Sequence, residues 1–219
     1  MREVDTAIKR CGEVLARGEL VVIPTDTVYG LAAKVDIPGA VERVFTVKGR
    51  EASKALVVMV SSLEEALELA APDERETLYR LGCLWPGALT LVVRAGPLPW
   101  IKRVAPVSQM LGIRIPDSHF VLRLLADHGP LAVTSANRTG SRAPASFQDI
   151  DPDLLERVGL AVDYGERGSG NPSTVAEING GELRVLRSGE IGESELIKAM
   201  AEKREGEASP PARTERDGG

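Results

Sequence analysis

Short aliphatic runs alternate along this chain with stretches of helical periodicity, and that alternation restricts the folds open to it. The runs at 20–23, 55–60, 89–93, 112–115 and 131–133 are apolar and bounded by Gly, Pro or small polar residues, as buried strands are. Between them, Val4, Ala7, Ile8, Cys11, Val14 and Leu15 recur at helical spacing until Gly18. Residues 38–47 predict a short helix with Val41, Val44 and Phe45 inward. Ser62 with Glu65 reads as a capping box for a helix over 63–70. Further helices are predicted over 73–83, over 119–127 with Asp117 or Ser118 as cap, near 148–156 and over 193–203. Hairpin-length gaps separate strands near 160–163, 173–178 and 183–187. Residues 94–109, with Pro97, Pro99 and Pro106, read as loop. Strands interleaved with helices predict an α/β fold with a mixed parallel and antiparallel sheet and flanking helices. Residues 1–202 read as one domain. Residues 203–219, rich in Pro, Gly and cancelling charges, read as a disordered tail.

Composition narrows the function. Aromatics are 4% of the chain, so few rings can stack on bases, and the net charge of −5 argues against nucleic-acid binding through overall charge. A local basic cleft remains compatible with that sum. Cys11 and Cys83 lie outside any metal or redox spacing and read as ordinary reduced thiols. His119 and His128 read as surface or helix-end residues. No apolar stretch approaches the ~20 residues that span a bilayer. The N-terminus leads into an amphipathic helix, and a cytoplasmic placement is expected.

Polar clusters sit where the strands stop. Pro24-Thr25-Asp26-Thr27-Val28-Tyr29-Gly30 follows the first strand, Thr134-Ser135-Ala136-Asn137 follows another, and Pro172-Ser173-Thr174 flanks a third. Open α/β sheets bind ligands at such strand ends. Each cluster by itself is also ordinary turn chemistry. Five cations stand nearby: Lys48 and Arg50, two apart on what reads as one side of an extended segment, then Lys54, Arg114 inside an apolar strand, and Arg187 at a strand end. Each alone fits a solvated loop or a structural ion pair. Together, beside neutral hydroxyls, they suggest an anionic ligand. The chain has no G-x-x-x-x-G-K-[ST], no G-x-G-x-x-G and no G-x-S-x-G. No carboxylate pair stands out as an acid/base couple, so positioning and electrostatic stabilisation are the better catalytic candidates.

The order Pro24–Leu31, Lys48-Gly49-Arg50, Leu84-Trp85-Pro86-Gly87 with Leu89-Thr90, Gly112-Ile113-Arg114-Ile115-Pro116, Thr134–Asn137, Pro172–Val175 and Leu186-Arg187-Ser188-Gly189 resembles the YrdC family, the threonylcarbamoyl-AMP synthases, over residues 4–200. The resemblance implies a twisted α/β sheet with a large concave basic cleft. It implies formation of threonylcarbamoyl-AMP and pyrophosphate from ATP, L-threonine and bicarbonate, with Mg²⁺ entering with ATP and no metal ligand from protein side chains. Partner proteins would pass the threonylcarbamoyl group to tRNA, with a weak tRNA contact by this chain and no membrane.

Carried over residue by residue, the resemblance makes Lys48 and Arg50 the catalytic, phosphate-holding pair. Lys54, Met110, Asn137, Ala145 and Arg187 join them as ATP-binding residues. Thr27, Met59, Arg114, Ser135 and Ser173 would bind threonine, Arg114 taking its carboxylate. Met59, Met110 and Ala145 depart from the family's usual histidine, threonine and hydroxyl residue, which bears on affinity. The alternatives are a relative adenylating another carbamoyl substrate and a non-catalytic RNA-binding module.

Overall fold

The computed structural model describes residues 2–51, 53–163 and 168–201. The tail expected to be disordered lies outside the described residues, as does part of the glycine-rich loop around 165–170. The elements in chain order are α1 (Arg2–Ala16), β1 (Val21–Ile23), β2 (Gly30–Lys34), α2 (Ala40–Lys48), β3 (Val57–Met59), α3 (Leu63–Leu69), α4 (Arg75–Leu81), β4 (Leu89–Arg94), α5 (Ile101–Val104), β5 (Met110–Arg114), α6 (His119–His128), β6 (Leu131–Ser135), α7 (Pro152–Leu155), β7 (Leu160–Ala161), β8 (Thr174–Asn179), β9 (Glu182–Arg187) and α8 (Glu193–Ala201).

The strands form one nine-stranded sheet in the order β7-β1-β2-β6-β3-β5-β4-β8-β9. β1 with β7, β3 with β5 and β4 with β8 pair in parallel, and the other neighbours are antiparallel. The mixed α/β sheet is therefore the one the sequence predicts.

Side chains alternate across each strand, so two cores form. Val22, Leu31, Ala33, Val58, Leu91, Ile113 and Ala132 face the larger core, closed by α2, α3, α4, α5 and α8. Val21, Ile23, Ala32, Leu131 and Val133 face the smaller one, closed by Ile8, Cys11 and Leu15 of α1 and Phe120, Leu124 and Leu125 of α6.

Several local expectations change. β2 is a central strand that the sequence pattern does not mark. Gly-Leu-Ala-Ala-Lys lacks the β-branched and aromatic residues of ordinary strands. Its small side chains suit a position covered on both faces, with Leu31, Ala32 and Ala33 fully buried. The supposed loop 94–109 contains α5, a single turn. The helix expected over 73–83 is α only at its centre, with 3-10 turns at 72–74 and 82–84. The region near 148–156 splits into a 3-10 turn at 147–149 and α7.

Ser118 caps α6. Ser62 caps α3, but the Glu65 carboxylate reaches back one residue further, accepting from the Ser61 N–H and Oγ, both at 2.8 Å.

Candidate functional site

The smaller core covers the sheet over β1, β2 and β6 and reaches Met59 of β3. The same face continues across β3, β4 and β5, where Val57, Met59, Thr90 and Arg114 are among the residues that alternate onto it. These four, with Val133 and Ser135 of β6, form the floor of a cavity of about 340 Å³. Thr25, Thr27, Val28 and Gly30 make one wall. Asn137, Ser141 and Ala143 make a second, Pro172, Ser173 and Arg187 a third, and Arg50 with Ala55 and Leu56 a fourth. Gly30 keeps the space open. A Cβ built there would lie 2.8 Å from Val133 Cγ1, well inside contact distance.

Arg114 is the hub. Its residue is 4% exposed. Nε donates to the Gly87 carbonyl at 3.1 Å, Nη1 to Thr27 Oγ1 at 3.0 Å and Nη2 to Asp26 Oδ2 at 2.7 Å. Burial pushes the guanidinium pKa down, while the Asp26 charge and hydrogen bond pull it back. Arginine carries five N–H donors. Among the described residues three are spent, and two, one on each terminal nitrogen, are left for a ligand. A carboxylate suits that fork.

The Pro24–Gly30 turn is built to present Thr27. Thr25 Oγ1 accepts from the N–H groups of Thr27 and Val28 at 3.2 Å each and donates to the Val28 carbonyl at 2.5 Å. It also lies 3.1 Å from Thr27 Oγ1. The backbone of 168–170 closes on this turn, with Ser169 N donating to Asp26 O and Gly170 N to Thr27 O.

On the opposite wall, Ser173 Oγ is 2.9 Å from Thr90 Oγ1. Arg187 folds onto Ser173, Nε and Nη2 donating to its carbonyl at 3.2 and 2.8 Å and Nη2 to its Oγ at 3.2 Å. Burial, with Arg114 nearby, lowers the Arg187 pKa.

Lys48 and Arg50 do not share one side of an extended segment. Lys48 is the last residue of α2, and Gly49 follows in the left-handed region at φ 57°. The chain reverses there, so the two cations part. Lys48 is buried, and its Nζ donates to the carbonyls of Ser135 and Asn137 and to Asn137 Oδ1. Burial, with Arg50 close by, pushes the Lys48 pKa down to about 8. Arg50 lines the cavity, donating to the carbonyls of Lys54 at 3.3 Å and Ala55 at 2.9 Å.

Of the residues singled out from the sequence, Thr27, Arg50, Met59, Arg114, Ser135, Asn137, Ser173 and Arg187 converge on the cavity. Lys48, Lys54, Met110 and Ala145 are not among its lining. Lys54 is exposed and contributes its carbonyl to Arg50. Met110 lies on the same open face as Arg114 but about 13 Å along β5, at ~3.3 Å per residue. Ala145 sits at the rim, next to Pro144, whose carbonyl accepts from Tyr29 N at 2.8 Å.

The sequence marks Asp26 only as part of a turn cluster and assigns no role of their own to Gly30 and Thr90. The buried cation in β5 was the signal for Asp26, because such a charge needs a counter-ion. The described residues hold no group of three His, Cys, Asp or Glu able to bind a metal ion. The described cavity lining contains three arginines and no Asp, Glu or His.

The Sua5/YciO/YrdC family model, described as telomere recombination, matches residues 13–189. A Bacillus subtilis protein named threonylcarbamoyl-AMP synthase is 33% identical over 195 residues, covering 88% of this chain and 56% of its own length. The human protein of the same name is 32% identical over 192 residues, covering 84% of this chain and 67% of its own. Among solved structures, Pyrococcus abyssi Sua5 complexed with L-threonine superposes with a TM-score of 0.80 at 31% identity, covering 89% of this chain and 57% of that one. The chain thus spans little more than half the length of the Bacillus and Pyrococcus relatives. The breadth of the family match, together with a sheet that superposes on that relative, assigns the chain to the Sua5/YciO/YrdC family.

Proposed function

We propose that this chain forms threonylcarbamoyl-AMP and pyrophosphate from ATP, L-threonine and bicarbonate. The observation that carries the reading is the Arg114 guanidinium. It is held rigidly by Gly87, Thr27 and Asp26 at the cavity floor, with two N–H groups to spare and neutral hydroxyls beside it. That arrangement fits the carboxylate of a small amino acid, with Thr27 and Ser173 orienting its polar groups and Met59 and Val133 meeting its apolar part. The names of the Bacillus and human relatives, and the threonine bound by the Pyrococcus protein, favour threonine as that amino acid.

ATP would lie along the remaining walls. Arg50 and Arg187 line the cavity and suit its phosphates, Asn137 lines it beside them, and the exposed Lys54, whose carbonyl accepts from Arg50, would add charge from outside the lining. A nucleotide extended along the open sheet face would run toward Met110, with Ala145 at the rim. Magnesium would enter as the salt of ATP and neutralise phosphate charge. With no carboxylate in the described lining, phosphate oxygens and water would be its ligands.

The threonine amine attacks bicarbonate, water leaves, and a carbamate forms. A carbamate oxygen then attacks the α-phosphorus and pyrophosphate departs. Negative charge grows on the leaving phosphates, where fixed guanidinium groups stabilise it without reorganising. The described lining offers no acid/base side chain, and no protein base is required if the amine enters neutral. The product would pass to proteins that transfer its threonylcarbamoyl group to tRNA, with a weak tRNA contact by this chain. No described helix is long and apolar enough to cross a membrane. A cytoplasmic location fits a tRNA-modifying role.

The test is release of pyrophosphate by the purified chain with ATP, Mg²⁺ and bicarbonate. Release should require L-threonine. Equal release with other amino acids would point to the relative with another substrate. No release, with salt-sensitive RNA binding, would favour the RNA-binding module.

A further inference from the structure

We propose that Lys48 is a positioning residue: it clamps the turn 135–137 from behind and acts on the substrates only through Ser135 and Asn137. The inference rests on the functional reading above for what the turn does, but not for how it is held.

An ammonium group has three N–H donors and no acceptor. All three have partners here: the Ser135 carbonyl, the Asn137 carbonyl at 2.7 Å and Asn137 Oδ1 at 3.2 Å. The Lys48 residue is 3% exposed. Arg50, by contrast, spends two of five donors among the described residues and lines the cavity. A phosphate arriving in the cavity meets a guanidinium with capacity left. It could recruit Lys48 only by breaking a buried bond to a carbonyl, which leaves that oxygen unsatisfied.

Placement follows from the sequence. Ala40, Val41, Val44 and Lys48 are the buried residues of α2, and 40, 44 and 48 fall on one helical stripe. The lysine stem therefore continues the apolar face, and its head emerges under β6. A second bond makes the link two-sided: the Lys48 carbonyl accepts from Thr139 N at 3.2 Å. Side chain and main chain of one residue thus fix both ends of the segment 135–139.

The clamp also sets the orientation of Asn137. Lysine can only donate, so the Asn137 oxygen must turn inward, where it also accepts from Ser135 Oγ at 2.5 Å. The Asn137 amide nitrogen is then forced outward, donating to the Ser141 carbonyl at 2.6 Å and the Arg138 carbonyl at 3.1 Å. Ser135, Asn137 and Ser141 all line the cavity. Lys48 decides how that wall presents itself without being part of it.

The unmodified full-length chain supplies the first measurement. Treated with an amine-acylating reagent and mapped by mass spectrometry, Lys48 should stay unlabelled with or without Mg-pyrophosphate, while Lys54 labels. Labelling of Lys48 in the ligand-free chain overturns the proposal. In the Lys48→Met variant, amide exchange at Ala136 and Thr139 should quicken and kcat should fall, each by about tenfold, the scale of one lost charged hydrogen bond. The salt dependence of pyrophosphate binding should match the wild type, whereas Arg50→Met should flatten it. Lys48→Arg should not rescue kcat, because a planar fork does not fit between three oxygens set for an ammonium, although it would replace a phosphate clamp well. Unchanged exchange, a flattened salt dependence in Lys48→Met or rescue by Lys48→Arg overturns the proposal. A wild-type chain that releases no pyrophosphate with threonine overturns the functional reading instead, and labelling and exchange still decide the role of Lys48.

Discussion

Arg114 Nη2 lies 2.7 Å from Asp26 Oδ2, in an ion pair whose side chains are 5% and 14% exposed and 88 residues apart in sequence. It joins the turn after β1 to the end of β5, across the cavity floor. The other carboxylate oxygen of Asp26 is buried with no hydrogen-bond partner among the described residues. The pair is therefore a charge balance taken out of water, and each member depends on the other.

Removing one member should cost more than removing both. Asp26→Ala leaves a buried guanidinium uncompensated and should lower the unfolding free energy by about 3 kcal/mol, the range for broken buried pairs. Adding Arg114→Met should recover part of that loss. Urea unfolding of the two variants decides it. A double variant no more stable than Asp26→Ala would show that the pair is not the source of the cost.

Gly30 should tolerate no side chain without loss. Gly30→Ala puts a methyl 2.8 Å from Val133 Cγ1, and the overpacking should cost about 1–3 kcal/mol. In threonine-dependent pyrophosphate release the KM for L-threonine should rise more than the KM for ATP, because Arg114 and Met59 share this floor. Val133→Ala in the same chain should restore stability by giving the methyl room.

The two thiols should differ sharply. Cys11 is buried in the smaller core, and burial pushes its pKa up to about 12, while Cys83 is exposed. A thiol reagent at pH 8 should titrate one group in the native chain and two in denaturant, because the thiolate is the reactive form. The raised native pKa has a defined sign in stability. The Cys11 contribution is intact below about pH 9, and it is lost as pH rises toward 12, because the unfolded thiol gives up its proton first. The wild type should therefore lose stability more steeply than Cys11→Ala between pH 9 and 10.

The loop 138–147 should loosen when Phe147 is cut back. Its ring meets Tyr29 edge to face, with centroids 6.0 Å apart and planes at 73°, next to the Tyr29 N bond to Pro144. Phe147→Ala should cost about 0.5–1.5 kcal/mol beyond the area exposed. Limited proteolysis should then cut within 138–147 faster than in the wild type.

The sequence by itself determined most of the elements and the chemistry of the strand ends. Aliphatic runs marked β1, β3, β4 and β6, because strands inside a sheet of this size are largely buried and so largely apolar. Helical spacing marked α1, α2 and α6 for the same local reason. Hydroxyls placed where such runs stop marked Thr27, Ser135 and Ser173, a cation inside an apolar run marked Arg114, and all four line the cavity. Tertiary structure decided the rest. β2 exists because β1 and β6 pair with it on either side and α1 and α2 press on its small residues, none of which local propensity records. Lys48 and Arg50 are two residues apart in sequence, yet one is spent on a buried turn and the other faces the cavity. Only the left-handed turn at Gly49 and the position of β6 separate them. Asp26 acquires its partner from a strand that follows far along the chain. Hydrogen bonds and charge pairs act over a few ångströms in space, so which of them form is settled by the register of the sheet and not by the order of the residues.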